Sequence, residues 1–297
     1  MRRAPLLATL AALVLTGCAG AGLGSHSGAD IGTVSADERI TDPAVQRAAV
    51  ASAEEAMASG RIAMAADLLR RAYEGSPSPA LAARRSQAMR AVGQGREAQT
   101  FLLAASERFP NDLTLTTELV RSSLDVGDLA NAAKATAAMM DSRGVGFTQY
   151  LVAGAYHARQ NDVAKADALF AQAEAVAPGA TERGNAQANR AMLLAQGGDV
   201  AGARARLETI AASASASPRV WAALAVMRSA AGDVSGASDA ARRSGMSSAD
   251  SADLSRWMGN APSLSEMEAG EERPRPRPRR RPAPRQAAAG AETSQTP

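Results

Sequence analysis

Aromatic side chains are scarce: Phe, Trp and Tyr make up 3% of the 297 residues, although the apolar total is 46%. The apolar mass is therefore mostly alanine, with leucine, valine and methionine, and the runs of Val, Ile, Tyr and Phe that favour strands are missing. That composition argues against a β-protein and for closely packed helices, because alanine is the best helix former and adds little bulk. Cys18 is the only cysteine, so no disulfide can form within the chain. The two histidines, His26 and His157, have no zinc or haem spacing. Phosphate-cradling and dinucleotide glycine loops are missing, and no Gly-x-Ser-x-Gly occurs between a strand and a helix. His157 falls inside a helical segment, where packing is its expected role. These shortages argue against an enzyme and against any cofactor or metal.

Charge is close to balanced, with 33 basic and 30 acidic residues, but it is unevenly placed. Seven arginines lie between Arg273 and Arg285, which leaves the body mildly acidic and the tail strongly basic. No aromatic interleaves those arginines to stack on bases, so nucleic acid is not an expected partner.

Near the start, Met1-Arg2-Arg3 precedes a short apolar run from Ala4 to Val14 and then Leu15-Thr16-Gly17-Cys18. A positive end, an apolar segment and small residues at a cut form the layout of a secretory signal. The run is far short of the roughly 20 residues a membrane-spanning helix needs. The four residues resemble the bacterial lipobox, which implies a signal peptide over 1–17 and a mature chain beginning at an acylated Cys18. About three acyl chains there exceed the two membrane signals that stable anchoring requires. Ala19 follows, where lipoproteins kept in the inner membrane commonly carry Asp, so the resemblance favours the outer membrane on its periplasmic side. Residues 18–43, rich in Gly, Ser and Ala, read as a flexible tether with a reach of roughly 30 Å.

From Pro43 the pattern is helix after helix, broken by glycine dipeptides. Gly60, Gly93, Gly127-Asp128, Asn161-Asp162, Gly198-Asp199 and Gly232-Asp233 each precede an alanine five residues after the first of them. Those alanines, at 65, 98, 132, 166, 203 and 237, are separated by 33, 34, 34, 37 and 34 residues. Leu69, Leu102 and Phe170 follow four residues after three of them, and Ala72, Ala105 and Ala173 seven after. Pro77, Pro110 and Pro178 then close three units, with Pro218 displaced by three residues in the fifth. Glycine at a helix end tolerates the left-handed cap, Asp caps the next helix, and small residues seven apart lie on one helical face.

A period near 34 with two helices per unit resembles the tetratricopeptide repeat (TPR). The resemblance implies an all-α fold, a TPR-type solenoid of five to six helix-turn-helix repeats over 44–259. Tyr150, Gly154, His157, Trp221 and Leu224 fall on its expected helix A positions. It also implies a peptide-binding groove lined by helix A. The groove positions would be Arg47, Val50, Glu54, Ala83, Gln87, Arg90, Thr114, Thr117, Arg121, Leu124, Leu151, Ala155, Asn185, Met192 and Val226. None is lysine, which departs from members that clamp a terminal carboxylate with lysine and asparagines.

After Gly259 the periodicity fails, and residues 260–297 carry Glu266, Glu268, Glu271 and Glu272 before the arginine-proline run. Proline at that density forbids helix and favours an extended, solvated, disordered tail. The tail is a spacer, a contact for anionic lipid, or a contact for an acidic protein. Lipobox, tether, repeats and tail together resemble bacterial TPR lipoproteins that assist envelope machines, among them the Flp/Tad pilus assembly lipoprotein and secretin pilots. The expected role is a protein-interaction scaffold with a secretin or another envelope-assembly component as partner. An adaptor for outer-membrane protein insertion or for cell-wall enzymes is the alternative, and a lipid-anchored enzyme the weaker one.

Overall fold

The computed structural model describes residues 39–245, and in them twelve helices and no strand. The expected signal peptide, Cys18 and most of the expected tether lie outside the described residues, as do 246–259 of the expected solenoid and the arginine-proline tail. The helices form six antiparallel hairpins, one per repeat. They are α1 (Pro43–Ala58) with α2 (Ile62–Gly75), α3 (Pro79–Ala91) with α4 (Gly95–Arg108), and α5 (Leu113–Asp125) with α6 (Leu129–Met140). Next come α7 (Phe147–Arg159) with α8 (Val163–Ala175), α9 (Ala180–Gln196) with α10 (Val200–Ala211), and α11 (Pro218–Ala230) with α12 (Val234–Arg243).

Each hairpin turn follows from its sequence. Gly60, Gly93, Gly127, Gly198 and Gly232 all have φ between 76° and 98°, and Asn161 takes the same place at φ 60°. Asp128, Asp162, Asp199 and Asp233 then each accept the backbone amide three residues on, at 3.0, 3.2, 2.8 and 2.9 Å, which caps the second helix. The first two repeats have Arg61 and Gln94 at that position and no side-chain cap. The reference alanines 65, 98, 132, 166, 203 and 237 are all fully buried. Each stands where the second helix of a hairpin meets its neighbours, so its small size sets how closely the backbones approach. Gly154 shows this most sharply: a Cβ there would lie 2.5 Å from the Phe170 ring of the paired helix.

Three features depart from the sequence expectation. Pro218 does not end a second helix; it opens α11, with Ser217 as the cap, just as Pro43 and Pro79 open α1 and α3. The 37-residue interval is taken up by α9, at 17 residues longer than any other helix described. Ile40, placed by sequence in the tether, is 5% exposed, and its amide donates to the Arg71 carbonyl at 3.2 Å. Gly75 makes room for it, since a Cβ there would overlap the Ile40 carbonyl. The ordered array therefore starts before α1.

Each hairpin packs on the next, and the core runs along the array between them. First helices also touch directly from one repeat to the next, α3 with α5, α5 with α7 and α9 with α11. That closer layer is the inner side of the array.

Candidate peptide-binding face

The first helices place their polar side chains in stripes along the inner layer. On α5 the stripe holds Thr114, Thr117, Glu118, Arg121 and Asp125, each three or four residues from another of the set. Glu118 is its centre, with a carboxylate side chain only 3% exposed. Gln87 and Arg90 of α3 reach it at 3.0 Å each, and Arg121 one turn on closes a very short contact. Arg90 also bridges to Asp125 at 2.5 Å. A buried carboxylate is tolerable only with such a set of donors. Glu118 thus joins the second repeat to the third.

The expected groove residues divide into two groups. Leu124, Leu151, Val226, Thr117, Ala83 and Ala155 are at most 9% exposed. Their side chains fill the space between hairpins and are not open to a partner. The physical reason is that each of these first helices packs on three or four neighbours at once, so its apolar positions are used by the core. Thr117 is also occupied by its own Leu113 carbonyl at 2.6 Å and by Gln149 of α7 at 3.2 Å.

The rest reach solvent to some degree. Arg47 and Thr114 are exposed, and Glu54 is exposed with an ion pair to Arg84 at 3.0 Å. Gln87, Arg90 and Arg121 are half-buried and engaged at Glu118. Val50 and Met192 lie half-buried against core clusters. The Asn185 carbonyl accepts from the Ser217 hydroxyl at 2.5 Å, joining α9 to the start of α11.

Glu118, Asn189 and Arg219 belong to this face and were missed from the sequence. The signal was present for two of them, because Glu118 is one turn from Thr114 and Arg121, and Asn189 is one turn from Asn185 and Met192. Arg219 hides near a helix start, next to the cap. The Arg219 guanidinium donates to Asn189 at 3.3 Å. Burial, with added repulsion from Arg121, pushes its pKa down to about 10, so it stays charged at neutral pH.

His157 is 14% exposed, 3.6 Å from Asp162 and edge-on to the Tyr156 ring at 4.9 Å. Burial, then the Lys165 charge, lowers its pKa, so the imidazole is neutral and packs. Among the described residues no group of three or more His, Cys, Asp or Glu is placed to hold a metal, and no helix is long and apolar enough to cross a membrane.

No protein-family model and no curated protein matches the chain. Solved structures do. A thermophilic TPR protein, TTC0263 of Thermus thermophilus, is similar over 61% of this chain and 97% of its own, at 18% identity and TM-score 0.51. The APC/C hetero-tetramer Cut9–Hcn1 is similar over 72% of this chain and 42% of the matched chain, at 12% identity and TM-score 0.56. At such identities the likeness concerns the fold, and the fold is a TPR-type α-solenoid.

Proposed function

We propose that the chain is an outer-membrane-anchored TPR lipoprotein that acts as a protein-interaction scaffold in envelope assembly, in Flp/Tad pilus biogenesis or secretin assembly. The observation that carries the scaffold reading is the layer of first helices, touching directly from α3 through α5 to α7 and from α9 to α11, with Thr114, Arg121 and Met192 reaching solvent along it and Arg47 exposed on α1. A stacked array offers such a layer to an extended or helical peptide, and no reactive side chain need act. The lipobox Leu15-Thr16-Gly17-Cys18 supports the anchor, and Ala19 supports the outer membrane. Pilus and secretin specificity rest on resemblance of the whole layout.

Two experiments test this. In the first, Cys18→Ser is compared with wild type by metabolic labelling with an alkyne fatty acid. Wild type alone should be tagged, and equal labelling of both removes the anchor. In the second, a photo-crosslinking amino acid is placed in living cells at Thr114 or Met192 on the inner layer, or at Val176, exposed on the array. The inner positions should trap a secretin or pilus-assembly subunit, and Val176 should not. A crosslink to an outer-membrane insertion component or a cell-wall enzyme would reassign the machine and keep the scaffold. No crosslink from either inner position, with the protein in the outer membrane, would sink the scaffold reading.

A further inference from the structure

Two joints between repeats carry an arginine at one shared register. Arg85 of α3 stands 13 residues before the buried Ala98, and Arg190 of α9 stands 13 before the buried Ala203. The joints that lead into repeats three, four and six have Leu119, Ala153 and Leu224 at that place, all buried.

At the first of these two joints the chain closes the space with its own rings. Tyr73 of α2 and Phe101 of α4 meet edge to face at 5.0 Å. The Arg85 guanidinium lies 4.5 Å from the Phe101 ring centre and 5.7 Å from that of Tyr73, both within reach of a cation–π contact. At the second joint the two ring positions hold other residues. Glu174 of α8 follows Ala166 by eight, as Tyr73 follows Ala65, and Arg206 of α10 follows Ala203 by three, as Phe101 follows Ala98. Neither is aromatic, and a cleft of about 240 Å³ is left between α8 and α10 over α9. Glu174, Gln187, Arg190, Arg206, Thr209 and Ile210 line it. Arg206 and Thr209 are exposed, whereas Ile210 is half-buried against the core and supplies an apolar wall.

The bonding of Arg190 decides what the cleft can take. Its Nε and one terminal nitrogen grip Asp167 at 2.8 and 3.2 Å, and the other terminal nitrogen donates to Glu174 at 3.0 Å. Gln187 donates to the second Glu174 oxygen at 2.7 Å. Two carboxylates thus engage all three guanidinium nitrogens in their plane, and a further anion would meet their charge. The flat face of the group remains, and no ring of the described residues covers it as Phe101 covers Arg85. A guanidinium face stacks on an aromatic ring. Space suffices, since a cavity of about 150 Å³ holds a benzene ring.

We infer that this cleft is a second docking site, which takes the Phe or Tyr side chain of a partner protein segment and stacks it on Arg190. The joint at Arg85 supplies the pattern, because there the same register is filled by rings. An aromatic anchor seated in a pocket is the usual centre of a protein interface. The cleft lies between second helices, not along the inner layer, so this goes beyond the scaffold reading and stands apart from it.

The test selects random dodecapeptides displayed on phage for binding to the chain, with depletion on Arg206→Phe, which fills the cleft at the position equivalent to Phe101. Thr209→Phe is a second filling variant, and both are checked by circular dichroism and melting. Recovered peptides should share Phe or Tyr at one fixed place. Synthetic copies should lose about thirtyfold in affinity for either filled variant, the loss expected for one buried anchor. Arg190→Lys keeps the charge without the flat face and should weaken binding about fivefold, the size of a partly desolvated cation–π contact. Cyclohexylalanine in place of the aromatic residue should weaken binding to wild type by a similar factor and to Arg190→Lys very little.

Cleft-dependent peptides that share an acidic, basic or aliphatic residue would overturn the assignment, as would aromatic ones whose affinity ignores Arg190→Lys. Recovery of no peptide that tells wild type from both filled variants would overturn the docking site outright. Trp257 is the one aromatic residue outside the described residues. If the aromatic peptides bind only after Trp257→Ala, the cleft serves the chain's own tryptophan and the partner assignment falls.

Discussion

At the scale of single residues, stability rests on small side chains that permit close approach and on one buried carboxylate. Gly127 and Gly154 are both glycine for different reasons. Gly127 has φ 76° with open space around it, so Gly127→Ala should lose about 1–2 kcal/mol from backbone strain alone. Gly154 is an ordinary helical residue pressed against Phe170, and Gly154→Ala should cost about 1–3 kcal/mol by overpacking. The double variant Gly154→Ala with Phe170→Leu should recover part of the second loss and none of the first. Ala166, fully buried in the same hairpin, should respond to Ala166→Leu by a similar loss of about 1–3 kcal/mol. Denaturant midpoints read all of these, and unchanged midpoints would mean the packing is wrong. Glu118→Ala removes the shared acceptor of Gln87, Arg90 and Arg121, and should cost about 3 kcal/mol. A melting curve that stays in place would show that the cluster is solvated.

At the scale of elements, the second helices of the last four repeats depend on their aspartate caps. Asp128 and Asp233 lie below the ordinary aspartate pKa of 3.8, chiefly through the backbone amides of Asn131 and Gly236. A carboxyl whose pKa is lower in the folded state binds its proton more readily when unfolded. Its contribution is therefore fully present above the unfolded pKa, near 4, and is lost as pH falls through the lower folded value. The melting temperature should drop as pH goes from about 5 to below 3. Asp128→Asn keeps a capping oxygen without the charge and should flatten this dependence. A variant with the same acid slope as wild type would show that other carboxylates govern it.

At the scale of the whole array, each hairpin meets only its neighbours, and α1–α2 has just one neighbouring hairpin among the described residues. Stability of such arrays is close to a sum of repeat and interface terms. Amide hydrogen exchange should therefore be slowest in α5 and α6 and faster in α1, despite the extra contact that Ile40 makes with α2. Uniform protection throughout would mean that the array opens as one cooperative unit.

The spacing of the turn glycines and buried alanines already determined the fold, because a hairpin needs a left-handed cap at a fixed place and a small residue where backbones meet. The reference alanines, the aspartate caps and the Asn161 turn could all be read from the chain. The face toward a partner could not. Leu124, Leu151 and Val226 sit on a first-helix stripe that sequence treats as one surface. Only the stacking of neighbouring hairpins decides which turns of that stripe are covered. The same holds for Asn189 and Arg219, which sit 30 positions apart in different repeats. Local spacing can place each on its own helix, but their meeting depends on how successive repeats rotate about the array.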